Sequence, residues 1–252
     1  MPVHEAEAVV LRHYSLSEAD RIIVFVTREF GKLRATAQGV KRPKSRLAGS
    51  LEPLNHIRLQ FYSKEGADLA RIRQTEMIHS YLGKTPSLEK VYSFSYFAEL
   101  IHEYVEENNP NPMVFRLFLA VLNAGERVGA SEALVRYFEI WMLRLSGLLP
   151  NYDYCSNCGR YVKDEGFFAW LEAGQGRCPA CAGGKGVHIR PETVPVLRAI
   201  SELSPERFVV APIPVSAVRN LERLTRELLE LHIEKRLKSY KLLREVLRGE
   251  KG

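Results

Sequence analysis

The residues best equipped for chemistry are four cysteines in one constellation: Cys155-x-x-Cys158, nineteen residues, then Cys178-x-x-Cys181. A two-residue spacer lets a tight turn present two thiolates to one tetrahedral metal, and a second such pair closes the shell. The spacing belongs to the zinc-ribbon patterns. Gly159 and the Gly174-Gln175-Gly176 segment relax the backbone beside the pairs. Disulfides, a redox pair and inert burial compete for the same thiols. The start, Met1-Pro2-Val3-His4-Glu5, lacks the basic and apolar regions of a signal peptide. It points to a reducing, cytoplasmic setting and away from disulfides. A redox pair needs no second pair at a fixed distance. The expectation is one structural Zn2+ on Cys155, Cys158, Cys178 and Cys181, with no coordination position left for a catalytic water. His188 is expected on the surface rather than in the shell.

Other catalytic chemistry is hard to assemble. Metal-dependent phosphoryl transfer needs several carboxylates around a cation. The pairs here, Glu18/Asp20, Glu106/Glu107 and Asp164/Glu165, read as loop or solvated-face residues. No GxxxxGK[ST] loop, HExxH or nucleophile elbow occurs. No catalytic residue is expected, and the chain is read as a non-enzyme.

Charge points to another partner. The net charge is +6, and no acidic residue falls between Glu29 and Glu52, where Lys32, Arg34, Lys41, Arg42, Lys44 and Arg46 lie. A second basic run holds Lys235, Arg236, Lys238, Lys241 and Arg244. Clustered cations gain free energy on a polyphosphate by releasing its condensed counterions. A basic run is also the ordinary wet face of a helix, and Glu230 and Glu234 before Lys235 and Lys238 suit that reading. No apolar run is long enough to span a bilayer.

The elements that must position these residues change character along the chain. Stretches 5–12, 21–27, 32–38, 55–62 and 68–78 are rich in β-branched and aromatic residues. Leu33, Ala35 and Ala37 alternate with Lys32, Arg34 and Thr36, and Ile57, Leu59 and Phe61 with His56, Arg58 and Gln60. Such alternation means one buried and one wet face. Five short strands suit a closed OB-type barrel, although an SH3-like barrel or a split sandwich would give a similar string. Helical spacing follows in Val91–Ile101, Phe115–Leu122 and Leu134–Leu145. Asn109-Pro-Asn-Pro112 and Gly125–Ser131 separate these helices. Glu192–Leu203 and one long amphipathic stretch, Ser216–Leu247, complete the chain. The expected organisation is an OB barrel over 1–80, helices over 81–150, a cysteine insert over 151–186, and helices again over 187–252.

Several of these segments resemble one family in order. They are Ala8-Val-Val-Leu-Arg12, Glu18-Ala-Asp20, Phe25-Val-Thr-Arg-Glu-Phe-Gly-Lys32, Gly39-Val-Lys-Arg-Pro-Lys-Ser-Arg46, Gly147-Leu-Leu-Pro150, the two cysteine pairs and Leu237-Lys-Ser239. Together they resemble RecO, the bacterial recombination mediators, over nearly the whole chain. The resemblance implies an N-terminal OB fold and a helical domain carrying a zinc motif. It also implies binding of single- and double-stranded DNA and annealing of complementary strands. With RecR, such a protein helps load RecA onto DNA coated by single-strand-binding protein. Lys41, Arg42, Lys44 and Arg46 map onto the family's DNA-binding barrel, with Lys32 and Arg34 assisting. Tyr14 and Tyr62 are candidates for base stacking, and Arg160, Lys163 and Arg177 for DNA contacts near the metal. A zinc-ribbon RNA-binding or transcription-associated protein, a nuclease assembled from distant carboxylates, and a purely structural adaptor are the rival readings.

Overall fold

Alternating apolar and polar residues at the N-terminus can bury one face by curling the sheet onto itself. In a computed structural model, which describes residues 2–64, 69–149, 152–162, 165–171, 174–233 and 237–249, they do so. The strands are β1 (Val3–Ser15), β2 (Arg21–Thr27), β3 (Gly31–Ala37), β4 (Asn55–Tyr62) and β5 (Ala70–Ser80). They close in the order β1-β2-β3-β5-β4, and β4 pairs back on β1. A short parallel seam joins Ala35 to Ala70 and Thr36 to Arg71. This is a five-stranded barrel of the OB type.

Leu33, Ala35 and Ala37 of β3 and Ile57, Leu59 and Phe61 of β4 fill the interior, as their alternation requires. β1 serves two partners: Val3–Val9 pair with β4 and Ala8–Ser15 with β2. A register shift between Val10 and Arg12 bends the strand from one partner to the other. β1 also runs past Arg12, so Tyr14 lies within the strand opposite Ile22 rather than in the connection. β5 alternates only at Ala70 and Ile72; from Arg73 to His79 its side chains are largely exposed. The expected strand start at Asp68 lies outside the described residues.

Helices α1 (Leu88–Tyr104), α2 (Pro112–Arg127) and α3 (Glu132–Leu145) follow. Ser87, Asn111 and Ser131 each accept a hydrogen bond from the backbone N–H three residues on, which satisfies a donor the helix leaves open. Gly125 is inside α2 rather than in a connection. The remaining elements are β6 (Phe167–Trp170), β7 (Gln175–Arg177), α4 (Pro179–Ala182), β8 (Val187–Ile189), α5 (Val194–Glu202), α6 (Pro205–Val210), α7 (Val215–His232) and α8 (Lys238–Arg248). The expected single stretch Ser216–Leu247 is therefore two helices. Ile233 turns to an extended backbone (φ −106°, ψ 114°) and ends α7. Glu234, Lys235 and Arg236 lie outside the described residues.

The chain divides into two compact units, Met1–Leu122 with Ser239–Gly252, and Asn123–Lys238. In the first, α8 returns to α1: the Ser239 N–H donates to the Glu99 carboxylate at 2.9 Å, and the Tyr96 and Tyr240 rings lie 5.5 Å apart. In the second, α3 packs on α7 around a buried Arg136–Glu139 ion pair of 3.0 Å, and the Thr225 hydroxyl donates to the other Glu139 oxygen. A buried charge is tolerated only when paired and hydrogen-bonded in this way. Among the described residues, no helix is long and apolar enough to cross a membrane.

Candidate metal centre and nucleic-acid interface

Each cysteine pair sits on a turn closed by its own backbone. The Cys155 N–H donates to the Arg160 carbonyl at 2.7 Å and the Gly159 N–H to the Cys155 carbonyl at 2.9 Å. Gly159 adopts φ 70°, which a residue with a Cβ seldom accepts. At the second pair, the N–H groups of Cys181 and Ala182 donate to the Cys178 carbonyl at 3.1 and 2.9 Å as α4 begins. The Ser156 N–H bonds the Gly176 carbonyl at 2.9 Å, which fastens the first turn to β7.

The result is four sulfur atoms within 4.8 Å of one another. A tetrahedral site with metal–sulfur bonds of about 2.3 Å has edges of about 3.8 Å. The Cys158 and Cys178 sulfurs are 3.8 Å apart, and all four cysteines are free thiols. Burial raises the Cys155 thiol, but N–H groups of Cys178, Cys158 and Asn157 outweigh it and hold the pKa at about 6. At Cys158 the Arg160 N–H lowers the pKa, yet the Cys155 and Cys181 thiols outweigh it and push it to about 11. So many thiols in one place cannot all ionise without a cation among them. The donor set fits a soft, tetrahedral metal ion. His188 is not part of it; it is exposed and stacks on Phe168 at 4.5 Å.

The basic residues separate into two groups. Lys41, Arg42, Lys44 and Arg46 lie in the β3–β4 connection and are all exposed. This connection is laced to the one between β1 and β2. The Lys41 ammonium donates to the Ser15 hydroxyl and, at 2.6 Å, to the Ser17 carbonyl. The Lys41 N–H donates to the Ala19 carbonyl at 3.0 Å, and the Gly39 N–H to the Asp20 carboxylate at 2.7 Å. In OB folds the β1–β2 loop is one of those that bind oligonucleotides. Arg42, Lys44 and Arg46 form no ion pair among the described residues. Tyr14 and Leu16, 44 % and 49 % exposed, flank the same loop, and the Arg12 guanidinium lies 5.5 Å from the Tyr14 ring.

Lys32 and Arg34 lie on the outer face of β3, which the chain itself covers at Lys32 and leaves partly open at Arg34, 40 % exposed in its side chain. Lys32 pairs in parallel with Glu107, and the Asn108 N–H donates to the Lys32 carbonyl at 3.0 Å. The Lys32 ammonium donates to the His102 carbonyl at 2.7 Å, and Arg34 reaches Glu107 at 3.8 Å. Val24 and Val26, on the same face of β2, are 1 % exposed. A Cβ at Gly31 would stand 2.1 Å from the Asn109 carbonyl oxygen, so only glycine permits this approach. Burial lowers the Lys32 pKa against the opposing pull of Glu107 and Glu103. Alternation alone identified the outward side of β3; it carried no sign that residues 102–109 would lie upon it.

His102 in this cover makes a pH prediction. Burial, then the charges of Arg12 and Lys32, lower its pKa to about 4, and Glu103 and Glu99 only partly oppose them. The folded chain therefore holds His102 neutral where the unfolded chain protonates it. This contribution is intact above pH 6.5 and is lost as pH falls from 6.5 towards 4. With its residual exposure discounted, the loss is about 2 kcal/mol. In urea unfolding at pH 7 and pH 4.5, His102→Gln should narrow the stability difference by that amount.

The other expected DNA contacts are scattered. Lys241 pairs with Glu245 at 3.8 Å on α8, and Glu230 pairs back to Arg226 at 2.9 Å on α7. Arg160 pairs with Glu165 at 3.6 Å, Tyr62 is half-buried, and Lys163 and Asp164 lie outside the described residues.

Comparison with known proteins agrees with this architecture. The family model for the recombination protein O N terminal domain matches residues 1–81, and that for its C terminal domain matches 86–241. DNA repair protein RecO of Koribacter versatilis is 35 % identical over 244 residues, covering 95 % of this chain and 97 % of its own. The RecO proteins of Pelotomaculum thermopropionicum and of a Nocardioides species are 32 % and 31 % identical, each spanning at least 94 % of both chains. With an OB barrel, a following helical region and a four-cysteine cluster in the matching order, the chain belongs to the RecO family of DNA repair and recombination proteins.

Proposed function

We propose that the chain is a recombination mediator that binds single- and double-stranded DNA and anneals complementary strands. With RecR it helps load RecA onto DNA coated by single-strand-binding protein, in the cytoplasm and at the nucleoid, without a covalent reaction of its own. The observation that carries this reading is the exposed trio Arg42, Lys44 and Arg46, free of ion pairs among the described residues and moored by Lys41 to the β1–β2 loop. Annealing brings two polyanions together, and neutralising their repulsion supplies much of the effect. Tyr14 adds a stacking surface beside the cations. Arg34, whose side chain is 40 % exposed, assists the loop in meeting DNA, while Lys32, its ammonium held by the His102 carbonyl, supports β3 from the covered side. One Zn2+ on Cys155, Cys158, Cys178 and Cys181 serves structure, since four sulfurs complete its shell.

The test mixes complementary oligonucleotides, each coated with single-strand-binding protein, and follows duplex formation without nucleotide triphosphate. The chain should accelerate it. DNA binding without acceleration would reduce the chain to a binding module, and tighter binding to RNA than to matched DNA would favour the RNA reading.

A further inference from the structure

The small sheet β7-β6-β8 has two unlike faces. Phe167, Ala169, Val187 and Ile189 point inward and are at most 1 % exposed. The alternate positions hold Phe168, Trp170, Arg177 and His188, and the register sets Phe168 directly opposite both Arg177 and His188. Phe168, Trp170 and Arg177 are half-buried and His188 is exposed, and a sheet face turned to solvent ordinarily carries polar residues instead. Here two flat pairs stand on it. The Phe168 and His188 rings stack at 4.5 Å with an interplanar angle of 10°, and the Arg177 guanidinium lies 4.0 Å over the Trp170 ring.

Two further observations point to a ligand. The outward positions of the three strands, completed by Gln175, carry no carboxylate. The Nε of Arg177 is buried and has no hydrogen-bond partner among the described residues, so the guanidinium is held by its stacking on the indole rather than by a hydrogen bond through Nε. Planar rings beside a guanidinium that no carboxylate among the described residues pairs with match a strand whose bases are unpaired and whose backbone is anionic. A duplex offers the anion but keeps its base faces stacked.

We infer that this face is a base-stacking platform for single-stranded DNA, separate from the basic loop of the barrel. Trp170 and Phe168 take bases, and Arg177 and His188 extend those planes and meet phosphate. The inference rests on the reading of the chain as a DNA-binding protein, and the test separates the two.

The chain has two tryptophans, Trp141 and Trp170, so in Trp141→Phe all indole emission comes from Trp170. The difference between the parent and Trp170→Phe reports the same signal with Trp141 in place. Oligo(dT) should quench Trp170 emission, whereas an abasic strand of equal length and charge should not. Trp170→Ala should weaken single-strand binding about tenfold and leave duplex binding unchanged. His188→Ala, at an exposed position, should give a smaller loss in the same direction. Oligo(dT) binding with unchanged Trp170 emission and parent-like affinity in both variants would overturn the platform and leave the DNA-binding reading standing. Absence of all DNA binding by the parent would overturn both.

Discussion

Replacing Arg42, Lys44 and Arg46 together by Ala should weaken DNA binding by on the order of 100-fold at 0.1 M salt, with a shallower salt dependence. Each phosphate contact contributes about −0.9 to the slope of log K against log salt on duplex and about −0.7 on single strands. Three lost contacts therefore flatten the duplex slope by about 3 and the single-strand slope by about 2. These side chains are exposed and make no ion pair among the described residues, so their removal should leave the barrel's stability unchanged. Lys41→Ala should behave differently, because its ammonium moors the loop to Ser15 and Ser17. Affinity then falls through loss of loop order, and the slope changes by less than one contact's worth. Lys32→Ala should leave the slope alone and cost stability instead, since its partner is the His102 carbonyl. Fluorescence anisotropy from 50 to 200 mM salt reads all three. An unaltered slope in the triple variant would remove the loop from the interface.

What the sequence disclosed follows physical range. The bounds of β2 and β4 were readable because a β-branched run in β2 and alternation in β4 are local signals, and polar clusters flank both strands. The helical stretches Val91–Ile101 and Leu134–Leu145 were readable from their period, which is also local, but their capped starts after Ser87 and Ser131 lie two or three residues earlier. The sulfur cluster was readable because two short spacers prescribe it almost regardless of fold. The split between the exposed loop cations and the cations of β3 was not. That Lys32 and Arg34 are met by the chain and Arg42 and Lys44 are not depends on what residues 102–109 do some seventy positions later. The break after α7 was hidden too, because the leucine period runs on through Ile233 to Leu237 without glycine or proline. Strands β6, β7 and β8, three or four residues each, are too short to announce themselves. They depend on pairing at a distance and on the turns that the cysteines set.

That dependence gives the prediction with the largest effect. The region from Tyr152 to Ile189 rests on little apolar mass: Val162, Phe167, Ala169, Val187 and Ile189 are its principal buried side chains. Sheets this small do not stand alone in water. A structural zinc site contributes on the order of 10 kcal/mol of binding free energy, available only to the ordered turns. Cys155→Ser with Cys178→Ser removes the two most buried sulfurs. The metal content should fall from one Zn2+ per chain to none, and limited proteolysis should then cut within this region. The OB barrel has its own apolar interior, so salt-dependent duplex binding through Arg42, Lys44 and Arg46 should survive in the same variant. A chain that lost its metal yet resisted protease here would show that these turns hold without it. One that kept its metal would place the ion elsewhere than on these four sulfurs.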